Sequence, residues 1–188
     1  MNDIEVKAMK VIQPGINTIL MTEFETPLGA MVTCGTDDGI CLLEFTNRRM
    51  LPTEMKSISK LMNAKIADGE STHFHLLKHE LDLYFEGKLR KFSIPIVTPG
   101  SAFQQLVWQA LLQIPYGSTR SYKQQAVALQ KPEAIRAVAG ANGMNRIAIL
   151  IPCHRVIGED GSMTGYGGGI WRKRWLLDME TGQATITH

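Results

Sequence analysis

The hydrophobic and polar pattern from Asn17 to Phe45 is β-like, short apolar runs broken by turn residues. Thr18 to Phe24, Ala30 to Cys34 and Ile40 to Phe45 read as strands of an antiparallel meander. Thr26-Pro27-Leu28-Gly29 and Asp37-Asp38-Gly39 turn the chain between them. The period then lengthens. Met55 to Ile66 and Thr72 to Phe85 have helical spacing, the second through Leu76, Leu77, Leu81, Leu83 and Tyr84. Phe92 to Val97 reads as a last strand, and Thr98-Pro99-Gly100-Ser101 as a linker with Ser101 placed to cap a helix. Short helices follow. Ala102 to Gln113 puts Phe103, Leu106, Val107, Ala110 and Leu111 on one face, Tyr122 to Leu129 begins behind Ser121, and Glu133 to Gly143 comes after Lys131-Pro132. The aliphatic run Ile147 to Ile151 predicts a buried strand that Pro152 ends, because proline cannot donate to a ladder. Glu159-Asp160-Gly161-Ser162 predicts a hairpin-type turn, Thr164 to Ile170 a glycine-rich loop, and Trp171 to Thr181 a helix stopped by Gly182. The pattern divides the chain into a β-rich domain over 17–97 and a helical one over 98–182. Residues 1–16 read as a loosely held extension and 183–188 as a tail.

Composition narrows the classes of function. A chain of 188 residues holds one large or two small domains, and 44% hydrophobic with 20% charged residues describes an ordinary globular protein. No apolar run reaches the length of a membrane span, and the first ten residues lack a signal-peptide core. Three cysteines are too few for a disulfide framework, which points to a reducing, cytoplasmic setting in which a reactive thiol survives. The net charge of +2 is uneven: residues 1–99 carry −2 and residues 100–188 carry +4, a modest excess that a phosphate backbone would attract. His73, His75 and His79 lie close together on a predicted helix, at spacing that suits zinc. The metalloprotease glutamate is missing, however, and we assign no metal there.

Chemistry concentrates near Pro152-Cys153-His154-Arg155. A thiol beside an imidazole and a guanidinium has the means to become a thiolate, although a buried, inert cysteine would give the same pattern. Neighbouring side chains on an extended backbone point to opposite faces, so adjacency alone does not bring sulfur to imidazole. The two short helices over 122–143 have the size of a helix-turn-helix unit. In the second, small side chains surround Arg136, as they would in a packing helix or in one that approaches nucleic acid closely. The glycine loop lacks dinucleotide-fingerprint spacing. Glu180 stands near a helix C-terminus, where the dipole disfavours it.

Ile151-Pro152-Cys153-His154-Arg155-Val156 closely resembles the active-site motif of the O6-alkylguanine-DNA alkyltransferases, the methylated-DNA–protein-cysteine methyltransferases. Ser121-Tyr122, Arg136-Ala137-Val138, Asn145, Gly165-Tyr166, Trp175-Leu176-Leu177 and Glu180 keep the family's spacing, and Thr26-Pro27-Leu28-Gly29 matches more weakly. The likeness is greatest to the bacterial, Ada-type catalytic region. It implies an α/β (α+β) protein: a small ribonuclease H-like amino-terminal domain, then a winged-helix-like domain with the helix-turn-helix. It implies direct, single-turnover reversal of O6-methylguanine, and of O4-methylthymine, by a monomer acting on double-stranded DNA. No cofactor or protein partner is required. Cys153 would take the alkyl group, with a water, His154 and Glu180 as its relay and Asn145 bracing the turn. Tyr122 would contact the backbone and hydrogen-bond the guanine ring. Arg136 would fill the gap left by the flipped base. Ala137, Ala139, Gly140, Ala141 and Asn142 would line the minor groove, joined by Ser121 and Arg155. Val156, Tyr166, Gly167 and Ala148 would form the base and alkyl pocket.

The chain also departs from the family pattern. Thr36 and Cys41 stand at two places where some members bind zinc, so no zinc is carried over. Ala148 replaces a proline and Gly167 a serine at the alkyl pocket, which leaves the range of alkyl groups open. Asn142 replaces a larger side chain. The competing functions are a non-catalytic binder of alkylated DNA, against which Cys153 argues, a methylation-responsive regulator, and a thiol hydrolase.

Overall fold

A computed structural model describes residues 17–183; the extension over 1–16 and all of the tail after Gln183 lie outside the described residues. Strands β1 (Thr18–Phe24), β2 (Met31–Thr36) and β3 (Gly39–Phe45) form the expected antiparallel meander. Helix α1 (Leu51–Leu61) then leads to β4 (Lys65–Asp68), which pairs parallel with β1 and completes the order β3-β2-β1-β4. The helix predicted over 55–66 is therefore shifted. Pro52 starts it early, and Asn63, at φ 47, turns the chain so that Ile66 joins the sheet. Helix α2 (Thr72–Phe85) packs Phe74, Leu77, Leu81 and Tyr84 on the sheet, each such side chain stabilising by roughly 1.5–3 kcal/mol. The predicted strand over 92–97 is one bridge, Ile40 to Ile96, within irregular chain.

Three serines start helices, two of them, Ser101 and Ser121, where the sequence predicts. Ser71 caps α2. Ser101 with Gln104 forms a capping box on α3 (Ala102–Leu111). Ser121 with Gln124 does so on α4 (Tyr122–Ala128), just after the two-residue strand β5 (Arg120–Ser121). A 3-10 turn (Pro132–Ala134) precedes α5 (Ile135–Gly143), so the helix predicted from Glu133 starts later. Trp108 sends its indole N–H to the Ala141 carbonyl at 2.9 Å, which ties α3 to α5.

The largest departure falls on 147–151. This run is not a strand. Ile147 alone bridges to Leu43 of β3, and residues 148–150 turn back inside the core. A fully buried apolar run carries no periodicity, so length and composition could not tell a strand from a buried turn. The 3-10 turn Cys153–Arg155 follows, then β6 (Val156–Ile157), which pairs parallel with β5. The turn expected over 159–162 is present, closed by Gly158 N–H donating to the Ser162 carbonyl at 2.8 Å, but no strand pair flanks it. Helix α6 (Ile170–Thr181) ends at Gly182, whose φ of 71 suits a residue without Cβ. One core joins both halves, running from Leu28 and Met31 through Tyr84 and Trp108 to Val156 and Leu176. Among the described residues no helix is long and apolar enough to cross a membrane.

Candidate active site

The turn that carries Cys153 is fastened to the amino-terminal sheet. Leu43 donates to the Arg146 carbonyl and Ala148 to the Leu43 carbonyl, both at 2.8 Å. Ile149 then takes φ 70, a left-handed backbone rare for a β-branched residue, at a cost on the order of 1–3 kcal/mol. Its burial and the bond from Ile151 N–H to the Ile147 carbonyl, at 3.0 Å, hold it there. Asn145 braces the same turn. Its amide donates to the Ile151 carbonyl at 2.9 Å and to the Cys153 sulfur at 3.1 Å, while its oxygen accepts from Ile147 N–H at 3.0 Å.

Cys153 is half-buried, and burial pushes its thiol up to about 11, against a smaller downward pull from the Asn145 hydrogen bond. The resting group is a thiol. Arg155 does not acidify it, contrary to the sequence expectation, because the guanidinium turns inward. It donates to Glu180 from Nε and Nη2, each at 2.8 Å, and to the Ile114 carbonyl at 2.7 Å. Glu180 also accepts from Tyr84 OH at 2.6 Å and from Gly117 N–H at 3.1 Å. Burial alone would raise this carboxyl. The hydrogen bonds of His154 and Arg155 outweigh it and hold the group ionised well below the usual carboxylate range. His154 is fully buried with Nε2 2.9 Å from Glu180 Oε1. An ionised carboxylate only accepts, so Nε2 carries the hydrogen and Nδ1 bears a lone pair. That Nδ1 is buried and has no hydrogen-bond partner among the described residues. Burial lowers the imidazole's pKa, with Glu180 opposing, so at neutral pH it is an uncharged base.

Around this group the ring of Tyr166 stands edge-on to His154 at 6.4 Å. Tyr122 sends its hydroxyl to the Thr164 carbonyl at 3.2 Å, and burial raises its pKa. Lys173 is fully buried and donates to the Val156 and Thr164 carbonyls at 2.5 and 2.7 Å. Gly167 is exposed beside the buried Tyr166, and Ala148 is buried in the turn.

The outer face of α5 is open. Arg136, Ala137 and Gly140 are exposed and Ala139 is half-buried; a Cβ added at Gly140 or Gly143 would meet nothing within 4 Å. Four residues expected at a DNA surface are buried and lie off this open face. Ala141 is buried under Trp108. Asn142 is buried and exchanges amide hydrogen bonds with Gln125 at 2.6 and 3.2 Å. Ser121 spends its hydroxyl on the α4 cap and on Glu159, at 2.6 Å. Arg155 is locked on Glu180. Helix faces explain this: residues 141 and 142 point at α3 and α4, opposite to 136, 137 and 140.

Comparison with known proteins gives the family of the chain. Residues 19–98 match the family model of the 6-O-methylguanine DNA methyltransferase ribonuclease-like domain, and residues 102–182 that of the 6-O-methylguanine DNA methyltransferase DNA binding domain. The chain belongs to the 6-O-methylguanine DNA methyltransferase family. It is 42% identical to a methylated-DNA–protein-cysteine methyltransferase of Methanosarcina barkeri over 83% of this chain and 93% of that one. A Mycobacterium leprae protein of the same name is 41% identical over 85% and 90% of the two chains. The crystal structure of Mycobacterium tuberculosis OGT in complex with DNA superposes with a TM-score of 0.75 at 38% identity, covering 89% of this chain and 96% of that one.

Three members of this methyltransferase's site escape sequence reasoning. Tyr84 reads only as a core position of its helix, yet its hydroxyl reaches Glu180. Lys173 sits in the run Arg172-Lys173-Arg174, the basic start of the last predicted helix. Arg48 follows a strand in an unremarked stretch, and its guanidinium donates to the Gly143 and Asn145 carbonyls at 2.9 and 3.4 Å. No local signal separates these buried cations from surface ones.

Proposed function

We infer that this methyltransferase repairs DNA by moving the alkyl group of O6-alkylguanine onto Cys153, once per molecule. The observation that carries the assignment is the buried, unpartnered Nδ1 of a neutral His154 whose Nε2 is held by Glu180, next in the chain to a thiol that Asn145 bonds. During attack the Cys153 proton passes to Nδ1 through a bridging water. The sulfur lone pair forms the S–C bond, and the C–O6 bond breaks with its electrons going to guanine. Tyr122 donates a hydrogen bond or proton to the leaving base, neutralising its charge. Glu180 keeps the imidazole in one tautomer and stabilises the imidazolium, as a triad carboxylate does. The thioether product is stable, so the protein is consumed.

DNA engages through the open face of α5. Arg136 fills the stack vacated by the flipped guanine, while Ala137, Ala139 and Gly140 admit the helix to the minor groove. Tyr166, Gly167, Val156 and Ala148 enclose the base and its alkyl group. Intact-protein mass after incubation with an O6-methylguanine duplex, followed by peptide mapping, tests this. One methyl per molecule on the Cys153 peptide is expected. Tight binding to the damaged duplex without a mass gain would make the protein a lesion binder instead.

A further inference from the structure

We propose that Arg48, from the amino-terminal domain, is a positioning residue for the reaction: it anchors the end of α5 and Asn145 beside Cys153 and offsets two carboxylates buried there. The proposal rests on the reading of Cys153 as alkyl acceptor. Arg48 follows β3, and its side chain is only 7% exposed. Nη1 bonds Glu44, and Nη2 lies 2.8 Å from Glu54 as an ion pair outside hydrogen-bond angles. The same fork donates to the carbonyls of Gly143, the last residue of α5, and of Asn145, whose amide touches the Cys153 sulfur at 3.1 Å. It also backs the pocket loop, since a Cβ built on Gly167 would lie 2.5 Å from Nη1. One guanidinium thus meets the DNA-facing helix, the brace of the nucleophile and the loop at the pocket.

Its donors and charge both matter. A planar fork can bond Glu44 and two carbonyls while lying against Glu54, whereas a lysine ammonium is a point charge and an apolar residue removes all of these contacts. The charged and titratable groups facing the thiol are Glu44 of β3, which disfavours a thiolate, and Arg48 and Lys173 of α6, which favour it. Tyr122 of α4 and Tyr166 also face it, and His154 follows it in the chain. Glu44 is pushed up to about 8 by burial, so it is a carboxylate over the alkaline range where the thiol ionises. Losing Arg48 and losing Glu44 should therefore move thiol reactivity in opposite directions, which a general loosening would not do.

The full-length wild type, R48K, R48M and E44Q are compared in two assays, with a thermal melt as a check on folding. One is the rate of methyl transfer from an O6-methylguanine duplex. The other is the rate of Cys153 alkylation by iodoacetamide at pH 7–10, read by peptide mass mapping. R48M should slow transfer on the order of tenfold and lower alkylation at every pH, with R48K intermediate. E44Q should raise alkylation in the upper half of the range. Wild-type rates for R48M, or R48M and E44Q shifting alkylation the same way, would overturn the proposal. If R48M does not fold, R48K decides: wild-type rates for a folded R48K overturn it equally. Absence of transfer by the wild type would sink the functional reading itself. An active wild type matched by its Arg48 variants would sink only this inference.

Discussion

The sheet core and the turn after α5 each enclose cysteine, and they make different things of it. Cys34 and Cys41 lie in β2 and β3 with no exposure, and burial pushes both thiols up to about 12. Cys153 is raised nearly as far, to about 11. Resting acidity does not set the nucleophile apart. What differs is company: Cys153 alone has access, a side-chain donor on sulfur and a neutral histidine with a free lone pair next to it. On the mechanism proposed above, the thiolate is made at the moment of attack by the neighbouring base and is not stored in the free protein.

Four experiments press on that contrast. The largest effect belongs to the thiols themselves. C153A should abolish methyl transfer in the mass assay, while a C34A/C41A double variant keeps it; residual transfer in C153A would move the chemistry to the sheet. Next comes the carboxylate behind the base. E180Q should cut the single-turnover rate on the order of a thousandfold, by analogy with loss of a triad carboxylate. It should also lose about 3–5 kcal/mol in urea unfolding, because Arg155 keeps its burial without its counter-charge. A wild-type rate in E180Q would show that His154 needs no orienting partner.

The third experiment separates the chemistry from the DNA face. R136A and G140V should each slow repair of duplex by about tenfold while leaving reaction with free O6-benzylguanine unchanged, since neither residue touches the relay. A Cβ at 140 meets nothing within 4 Å and the position is exposed, so the fold should survive the substitution. Equal losses on both substrates would remove α5 from the interface.

The smallest effect is in acid. His154 has a folded pKa below its ordinary 6.5, and Glu180 one below the ordinary carboxylate value. Both groups bind more protons when unfolded. Their contribution is therefore complete above about pH 6.5 and is lost as pH falls, first through His154 and below about pH 4 through Glu180. Each tenfold difference in proton affinity between the folded and unfolded chain is worth about 1.4 kcal/mol. Urea midpoints from pH 8 to 3 should trace that fall, and E180Q should flatten its lower part.

Local signals are legible in the chain. The Ser-x-x-Gln boxes at 101 and 121 mark two helix starts, glycine at 182 marks a helix end, and the spacing of Leu77, Leu81 and Tyr84 gives α2 its buried face. Pro152-Cys153-His154 marks the chemistry, and Glu180 stands out because its helix position is electrostatically poor. The run 147–151 reads wrongly as a strand because burial on all sides erases the period that distinguishes one. Residue type suggests exposure for Asn142 and Arg155, and hence a place on the DNA surface; inside the fold each has paid its desolvation with specific partners, Gln125 and Glu180.

By itself the sequence determined the amino-terminal meander, most of the helices and the family motif, because each depends on residues a few positions apart. Tertiary structure alone decided which cations are buried, and that Tyr84, Gly117, His154 and Arg155 converge on one carboxylate. It also decided that Arg48 reaches from the first domain to the cysteine's brace in the second. Such contacts join positions up to 97 residues apart. They exist only once the shared core has packed the two domains together, and no local pattern encodes the direction in which a long charged side chain then points.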